Sequence, residues 1–499
     1  MVVTSRKRLA LAAAIMGSFV AGLDSTVVNV ALPAIREDLG GGLAGQQWVS
    51  NAYLLTLGSL ILVAGSLGDL YGERRVFSIG VGGFGVVSVL CAVAPTIEVL
   101  IAGRALQGVF GALLTPSALA VIVATFPPDE RGAAIGSWTA WSGISFVVGP
   151  LVGGWLVDVA SWRWIFAINV PFVLITLALV AIAVPRTDRR RNVRLDWLGA
   201  LLTVFGLAGP VLALIRQPVA GWGSMEVWLP GLGGFALLAL FVWHERRTPD
   251  PMLPLELFKR RNFAVGNLQT FAMYGGLGAL FFFLTLFLQQ VAGYDALEAG
   301  VATVPTTIVM FLLAKRAGRL ADRYGPRLFM GCGPLVSALG VALMLRIDET
   351  VDYWTDLFPA LLIFSLGLTA TVAPLTATVL ADADEHNAGI ASGVNNAIAR
   401  IANLMCVAGL GAVVAAVYAN DLGPRATGEA ALTVIPGVPE SIEASVQAFH
   451  VGVGVCAALL ALGGVLGLAG IRNPRREVSC EDCADESLHW AIGQLRSKV

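Results

Sequence analysis

Charge is what this chain has least of. Only 13% of its 499 residues are Asp, Glu, Lys or Arg, about half the share of a soluble domain. That excludes an ordinary water-soluble fold. Lysine is nearly missing: Lys7, Lys259, Lys315 and Lys498 are the only ones among 33 basic residues. Histidine is as scarce. His244, His386, His450 and His489 each sit at the end of an apolar run, in a loop or in the C-terminal tail, so no imidazole cluster supports a membrane-embedded enzyme. No Walker loop is present, which argues against direct drive by ATP. The six cysteines form no disulfide framework. Cys91, Cys332, Cys406 and Cys456 lie in apolar runs as small packing residues, and only Cys480 and Cys483 are close together. With His489 they could bind zinc, but a fourth ligand is unassigned. A plain tail is the expectation, with no metal and no cofactor. Scarcest of all is acid deep inside an apolar run: Asp24 alone stands well away from the ends of one.

What is abundant is apolar sequence: 56% hydrophobic residues and a mean hydropathy of +0.76. Windows of about 20 residues, the length that crosses a bilayer as a helix, recur at 9–33, 47–67, 75–95, 98–125, 133–157, 162–185, 195–216, 224–244, 263–291, 297–314, 328–346, 354–380, 392–419 and 447–471. The expected fold is an all-α integral membrane protein with 14 transmembrane helices. The basic flank Arg6-Lys7-Arg8 resembles that of a signal peptide, but the run behind it is too long and is read as the first retained helix. An even number of spans puts both termini on one side. With that side taken as inside, 26 of the Lys and Arg residues fall there and 5 on the other face, leaving Arg104 and Arg400 within spans. Such a bias places both termini in the cytoplasm.

The chain also repeats itself. Gly65-Ser66-Leu67-Gly68-Asp69-Leu70-Tyr71-Gly72-Glu73-Arg74-Arg75 after the second window returns as Gly318-Arg319-Leu320-Ala321-Asp322-Arg323-Tyr324-Gly325-Pro326-Arg327 after the tenth. A weaker echo pairs Glu130-Arg131-Gly132-Ala133-Ala134-Ile135-Gly136 with Glu385-His386-Asn387-Ala388-Gly389-Ile390-Ala391. Two parallel six-helix repeats are a transporter architecture. The expected division is 1–190 and 251–475 for two pseudo-symmetric bundles, 191–250 for an inserted two-helix hairpin outside the transport path, and 476–499 for a cytoplasmic tail.

These residues resemble the major facilitator superfamily, in particular its fourteen-span drug:proton antiporter branch, over nearly the whole chain. The 65–75 and 318–327 segments are similar to that family's Gly-x-Leu-x-Asp-Arg-x-Gly-Arg-Arg loop, with Leu70 and Glu73 as departures in the first copy. Leu100, Arg104, Gln107 and Gly108 match its fourth-helix pattern. Gly136 with Gly149, Pro150, Gly153 and Gly154 matches the fifth-helix signature associated with antiporters, with Ser145 where an Asn is sometimes seen. Leu23-Asp24 through Pro33, and Trp162-Arg163-Trp164-Ile165-Phe166 with Ile168, Asn169 and Pro171, resemble the first- and sixth-helix signatures of the branch.

The chemistry starts at Asp24. A carboxylate inside a bilayer costs several kcal/mol unless it faces protein or water, which marks it as a working group. Asp24 lies nine residues, about 14 Å, before Pro33, and Arg104 falls at a similar depth on the fourth window. The resemblance implies that these helices are neighbours. The expectation is that Asp24 carries the proton and that Arg104, moving between conformations, switches its proton affinity; a static ion pair is the alternative. Gly149, Pro150, Gly153 and Gly154 would let helices touch closely and kink one of them, sealing the halves against leak. Asp69 with Arg74, and Asp322 with Arg323, are expected to act as conformational latches. The branch implies a large apolar cavity with few polar anchors, for which Tyr53, Gln107, Trp141, Asn267, Gln269, Phe271, Asn395 and Asn396 are the candidates. For Arg400 snorkelling or a salt bridge is expected ahead of substrate binding. The function implied is a proton-coupled exporter of small lipophilic drugs or antibiotics, working as a monomer among lipids with no nucleic acid. A single coupling carboxylate favours neutral or monocationic substrates. A dedicated exporter of a self-made metabolite, a proton-coupled importer and a non-transport membrane enzyme are the alternatives. The Ala-, Gly- and Arg-rich composition suggests a high-GC bacterium and hence its cell membrane.

Overall fold

A backbone that crosses lipid must satisfy its own polar groups, and a helix does so within one segment. The computed structural model describes residues 2–185, 195–249, 251–381, 388–423 and 432–473. The tail bearing Cys480, Cys483 and His489 lies outside these. Among the described residues all the regular structure is helical. The helices are α1 (Val2–Leu39), α2 (Gly42–Tyr71), α3 (Glu73–Ala92), α4 (Ile97–Thr125), α5 (Pro128–Val159), α6 (Trp164–Ala167), α7 (Asn169–Ala183), α8 (Trp197–Ala220), α9 (Met225–Glu245), α10 (Arg261–Gln290), α11 (Ala296–Ala302), α12 (Val304–Tyr324), α13 (Pro326–Leu343), α14 (Phe358–Ala381), α15 (Ala388–Leu422) and α16 (Glu440–Gly470). Thirteen segments among the described residues are long and apolar enough to cross a membrane, and the fifth window falls on α5, whose stretch Val147–Val159 is a shorter apolar helix.

Helices α1–α7 pack with one another, as do α10–α16. The hairpin α8–α9 sits between them in sequence and across them in space. Its two helices meet through Gly206, Gly209 and Gly234, where any Cβ would strike the opposite helix. α8 then lies on both α2 and α15, joining Leu55, Leu207, Val211, Ile215, Leu404 and Ala408 in one buried cluster. The hairpin therefore covers the seam between the two larger groups.

The repeated segments differ from loops in one respect. Residues 65–71 are the last turns of α2 and 318–324 the last turns of α12; only Gly72 (φ 89°) and Gly325 (φ 90°) leave the helix, and both occupy the left-handed region that other residues avoid. The tenth window ends at 314, where Lys315 begins a charged stretch. The helix runs on because a change of solvent does not break backbone hydrogen bonds; a glycine does. Arg74 donates to the carbonyl of Ala181 at the end of α7 (2.9 Å), and Arg327, its repeat partner, to that of Leu468 near the end of α16 (2.7 Å). Each ties a basic side chain to the carbonyl-rich end of a helix, where a positive charge is favoured.

Candidate functional site

Asp24 lies at the centre of the first bundle, where α1, α2, α3, α4, α6 and α7 converge. Arg104 Nη1 donates to Asp24 Oδ2 at 2.5 Å. Oδ1 accepts from Gln107 Nε2 and from Asn169 Nδ2, each at 3.1 Å. Arg104 also donates to Gln107 Oε1 (2.8 Å) and, through Nε, to the Val49 carbonyl (3.1 Å). Ser88 Oγ accepts from Gln107 (2.9 Å) and Asn169 (3.4 Å). The guanidinium lies over the Tyr53 ring at 4.4 Å, with Phe166 at 5.8 Å, so a cation faces two ring quadrupoles.

Asp24 is 0% exposed and Arg104 1%. A buried ion pair repays the cost of leaving water only when its remaining lone pairs and protons are bonded as well. Here both carboxylate oxygens and the guanidinium are engaged, so the pair is stable as long as the helices hold this arrangement. Opening the cluster would expose a carboxylate to water and leave Arg104 without its counter-charge.

Gln107 and Tyr53, expected along a substrate cavity, belong to this cluster instead. Gln107 is three residues from Arg104 and shares its helical face, a signal the sequence does carry. Ser88 carries none. Two more cavity candidates are turned into packing: Asn267 donates to the Phe263 carbonyl (2.9 Å), and Gln269 to the Met330 carbonyl (2.5 Å). Phe271 is half-buried, and Trp141 is 57% exposed on α5. Asn395 and Asn396 do line open space, a cavity of about 150 Å³ bounded by Tyr274, Thr376 and Ser392 among others. Asn395 is fixed by Asn267 Oδ1 (3.0 Å) and Thr270 Oγ1 (2.8 Å).

The fifth-helix glycines sit between this cluster and the second bundle. A Cβ at Gly149 would strike Thr26, and one at Gly153 would strike Val27, both on α1 beside Asp24. Gly154 points the other way: its Cβ would lie 2.5 Å from the Ala296 carbonyl and from Leu297 Cα on α11. Gly300 in turn packs on the Pro150 carbonyl. One short stretch of α5 thus joins α1, beside Asp24, to the other half of the molecule.

All hydrogen bonds found between the two halves among the described residues lie toward the face opposite the N-terminus. Asp158 Oδ2 accepts from Leu297 N (2.8 Å) and Oδ1 from Ala296 N (3.2 Å); Gln289 donates to the Val30 carbonyl (3.0 Å); Arg36 donates to Gln290 Oε1 (2.8 Å); Gln47 donates to the Val407 carbonyl (2.7 Å). Toward the N-terminal face, a Cβ at Gly132 or Gly136 on α5 would meet nothing within 4 Å. The halves are bonded together at one end; toward the other, α5 stands clear at these glycines while α2 and α15 still touch at Leu62 and Gly393. Asp158 has no motif to announce it, yet it caps α11 across the seam. Asp158→Ala should weaken the closed end by about 1 kcal/mol, the worth of such a cap. Distances between spin labels on α5 and α11 should show an enlarged open population; Asp158→Asn, which keeps an acceptor, should change it less. At the repeated segments, only the backbone of Asp69 is described, Asp322 is exposed, and Arg323 lies 5.5 Å over the Tyr324 ring.

The chain is 37% identical to the puromycin resistance protein pur8 of Streptomyces alboniger, over 88% of this chain and 87% of that one. It is 35% identical to the tetracenomycin C resistance and export protein of Streptomyces glaucescens, over 85% and 78%. The fold matches the crystal structure of a bacterial homologue of the human lysosomal transporter Spinster, in an inward-facing and unoccupied conformation, with a TM-score of 0.67 at 15% identity over 93% and 96% of the two chains. The family profile of the Major Facilitator Superfamily matches residues 14–407, and the chain is a member of that superfamily: a multi-pass membrane transporter, not an enzyme.

Proposed function

We propose that this transporter is a proton-coupled antiporter of the fourteen-span drug-efflux branch, exporting small lipophilic compounds from the cell. The observation that carries the reading is the sealed Asp24–Arg104–Gln107–Asn169 cluster, built on the one acid in the apolar interior of the spans and joined through α5 to the seam. With the N-terminal face in the cytoplasm, as the 26-to-5 distribution of basic residues favours, the arrangement is open inward. Substrate would enter between the halves, the inner end would close, and Asp24 would meet protons from the outer side. Each proton contributes about 1.4 kcal/mol per pH unit and each charge about 2.3 kcal/mol per 100 mV. Asp69, Arg74, Asp322 and Arg323 would form their latches when the inner ends approach.

The relatives' names, resistance to puromycin and export of tetracenomycin C, support efflux of antibiotics and leave room for a dedicated exporter of a self-made metabolite with the same mechanism. Inside-out vesicles, acidified within and carrying a pH-reporting dye, should release protons when puromycin or tetracenomycin C is added. Proton movement that follows none of a panel of lipophilic compounds, with well-expressed protein, would overturn the antiport reading.

A further inference from the structure

The apolar interior of the spans holds two arginines and one acid. Asp24 is committed to Arg104. Arg400 has no acid to pair with among the described residues: the remaining Asp and Glu residues all fall at helix ends or in connections. It sits ten residues into the segment Ile390–Leu422, about 15 Å from that end and therefore near the middle of a bilayer core. This depth puts the water interface beyond easy reach of a snorkelling side chain. Its Nε is buried with no hydrogen-bond partner, and the side chain is only partly buried, so the guanidinium retains donors to offer.

The surroundings show where they are offered. The Arg400 Cβ lies at Gly58 of α2, 3.3 Å from where a Cβ would be; any larger residue at 58 would take that room. Arg400 thus stands on the seam, at the contact between the two halves. Four residues earlier on α15, and so on the same helical face, Asn396 is exposed in the cavity with Tyr274, Thr376 and Ser392. Ala399 lines that cavity too. Arg400 stands one turn beyond Asn396 on that face, next to the cavity-lining Ala399, with no acid to match its charge among the described residues.

We infer that Arg400 is a substrate-binding residue and that the preferred substrate is an amphipathic anion, an apolar ring system bearing a carboxylate or phenolate. The inference rests on the export reading and sharpens it. The anion supplies the counter-charge the fold leaves out, and a guanidinium fork fits a carboxylate better than an ammonium would. It also departs from the expectation of neutral or monocationic substrates, which considers Asp24 alone. One proton inward against one monoanion outward moves two charges, so the membrane potential would add to the pH gradient.

The test uses three anthracene probes of similar size, carrying a carboxylate, a hydroxymethyl group or an aminomethyl group, and equilibrium binding to the purified full chain. Wild type should bind the carboxylate at least tenfold tighter than the neutral probe. Arg400→Gln should lose that preference and keep its affinity for the neutral probe, while Arg400→Lys should keep part of it. Equal binding of the three probes by wild type, or a preference for the amine, overturns the inference without need of any variant. So does an unchanged carboxylate preference in Arg400→Gln. The two readings separate cleanly. Arg400-dependent binding with no proton movement in vesicles would leave the anion site standing and remove antiport. Proton-driven export of the amine probe, indifferent to Arg400→Gln, would do the reverse.

Discussion

Asp24→Asn is expected to abolish substrate-driven proton release in acidified inside-out vesicles, a loss of the whole signal. Asparagine keeps the size of the side chain and one carbonyl acceptor for Gln107 and Asn169, which now bond Asp24 Oδ1 at 3.1 Å. What it removes is the charge and the exchangeable proton. The same change strands Arg104, and stripping the partner from a buried charge costs about 3–5 kcal/mol. Its bond to the Val49 carbonyl and the stack on Tyr53 offset part of that. A loss of activity could then be mistaken for a loss of folding. The double variant Asp24→Asn/Arg104→Gln separates them, because it removes both charges together. Its thermal stability should recover towards wild type while coupling stays absent. Proton release that survives in either variant would move the coupling site away from Asp24.

How much of this is open to the sequence depends on what hydropathy can encode. Depth is readable: a charge cannot hide in lipid, so Asp24, Arg104 and Arg400 declare themselves. Rotation about a helix axis is not. Lipid is as apolar as a protein interior, so apolar residues do not mark which side of a membrane helix turns inward, and a polar one says that it avoids lipid, not whether it meets a cavity or a neighbouring helix. Asn267 and Gln269 are cavity candidates by depth, yet both are 2% exposed or less because α10 turns them into its neighbours. Partners far apart in sequence are equally hidden. Ser88 looks like any small residue of a packed helix, and Asp158 like any acid at a helix end. Neither role exists until α3 meets α7 or α5 meets α11. The hairpin's lack of polar groups reads as that of a bystander, whereas its apolar face lies across both α2 and α15.

Adjacent glycines on α5 should fail in opposite ways. One residue turns the helix by about 100°, so Gly153 faces α1 within the first bundle and Gly154 faces α11 in the second. A side chain at 154 meets backbone, the Ala296 carbonyl and Leu297 Cα at 2.5 Å, against a comfortable separation of about 3.5–4.0 Å. No rotamer change relieves that. α5 and α11 must part, and with them go the bonds from Ala296 and Leu297 to Asp158. Overpacking of this kind costs about 1–3 kcal/mol, and every 1.4 kcal/mol is tenfold in an equilibrium. Because the clash exists only in the conformation closed at that end, the cost falls on one state and not on folding. Gly154→Val should therefore leave thermal stability near wild type, shift the closed population by about tenfold or more, and cut transport in proportion. Gly153→Val strikes Val27 inside its own bundle, where both states bear the load, and should lower stability and expression without biasing the equilibrium. Label distances across the α5–α11 contact, read beside melting curves, would show the contrast. If both variants merely unfold, or if Gly154→Val leaves the distances unchanged, this contact is ordinary packing and the seam is controlled elsewhere.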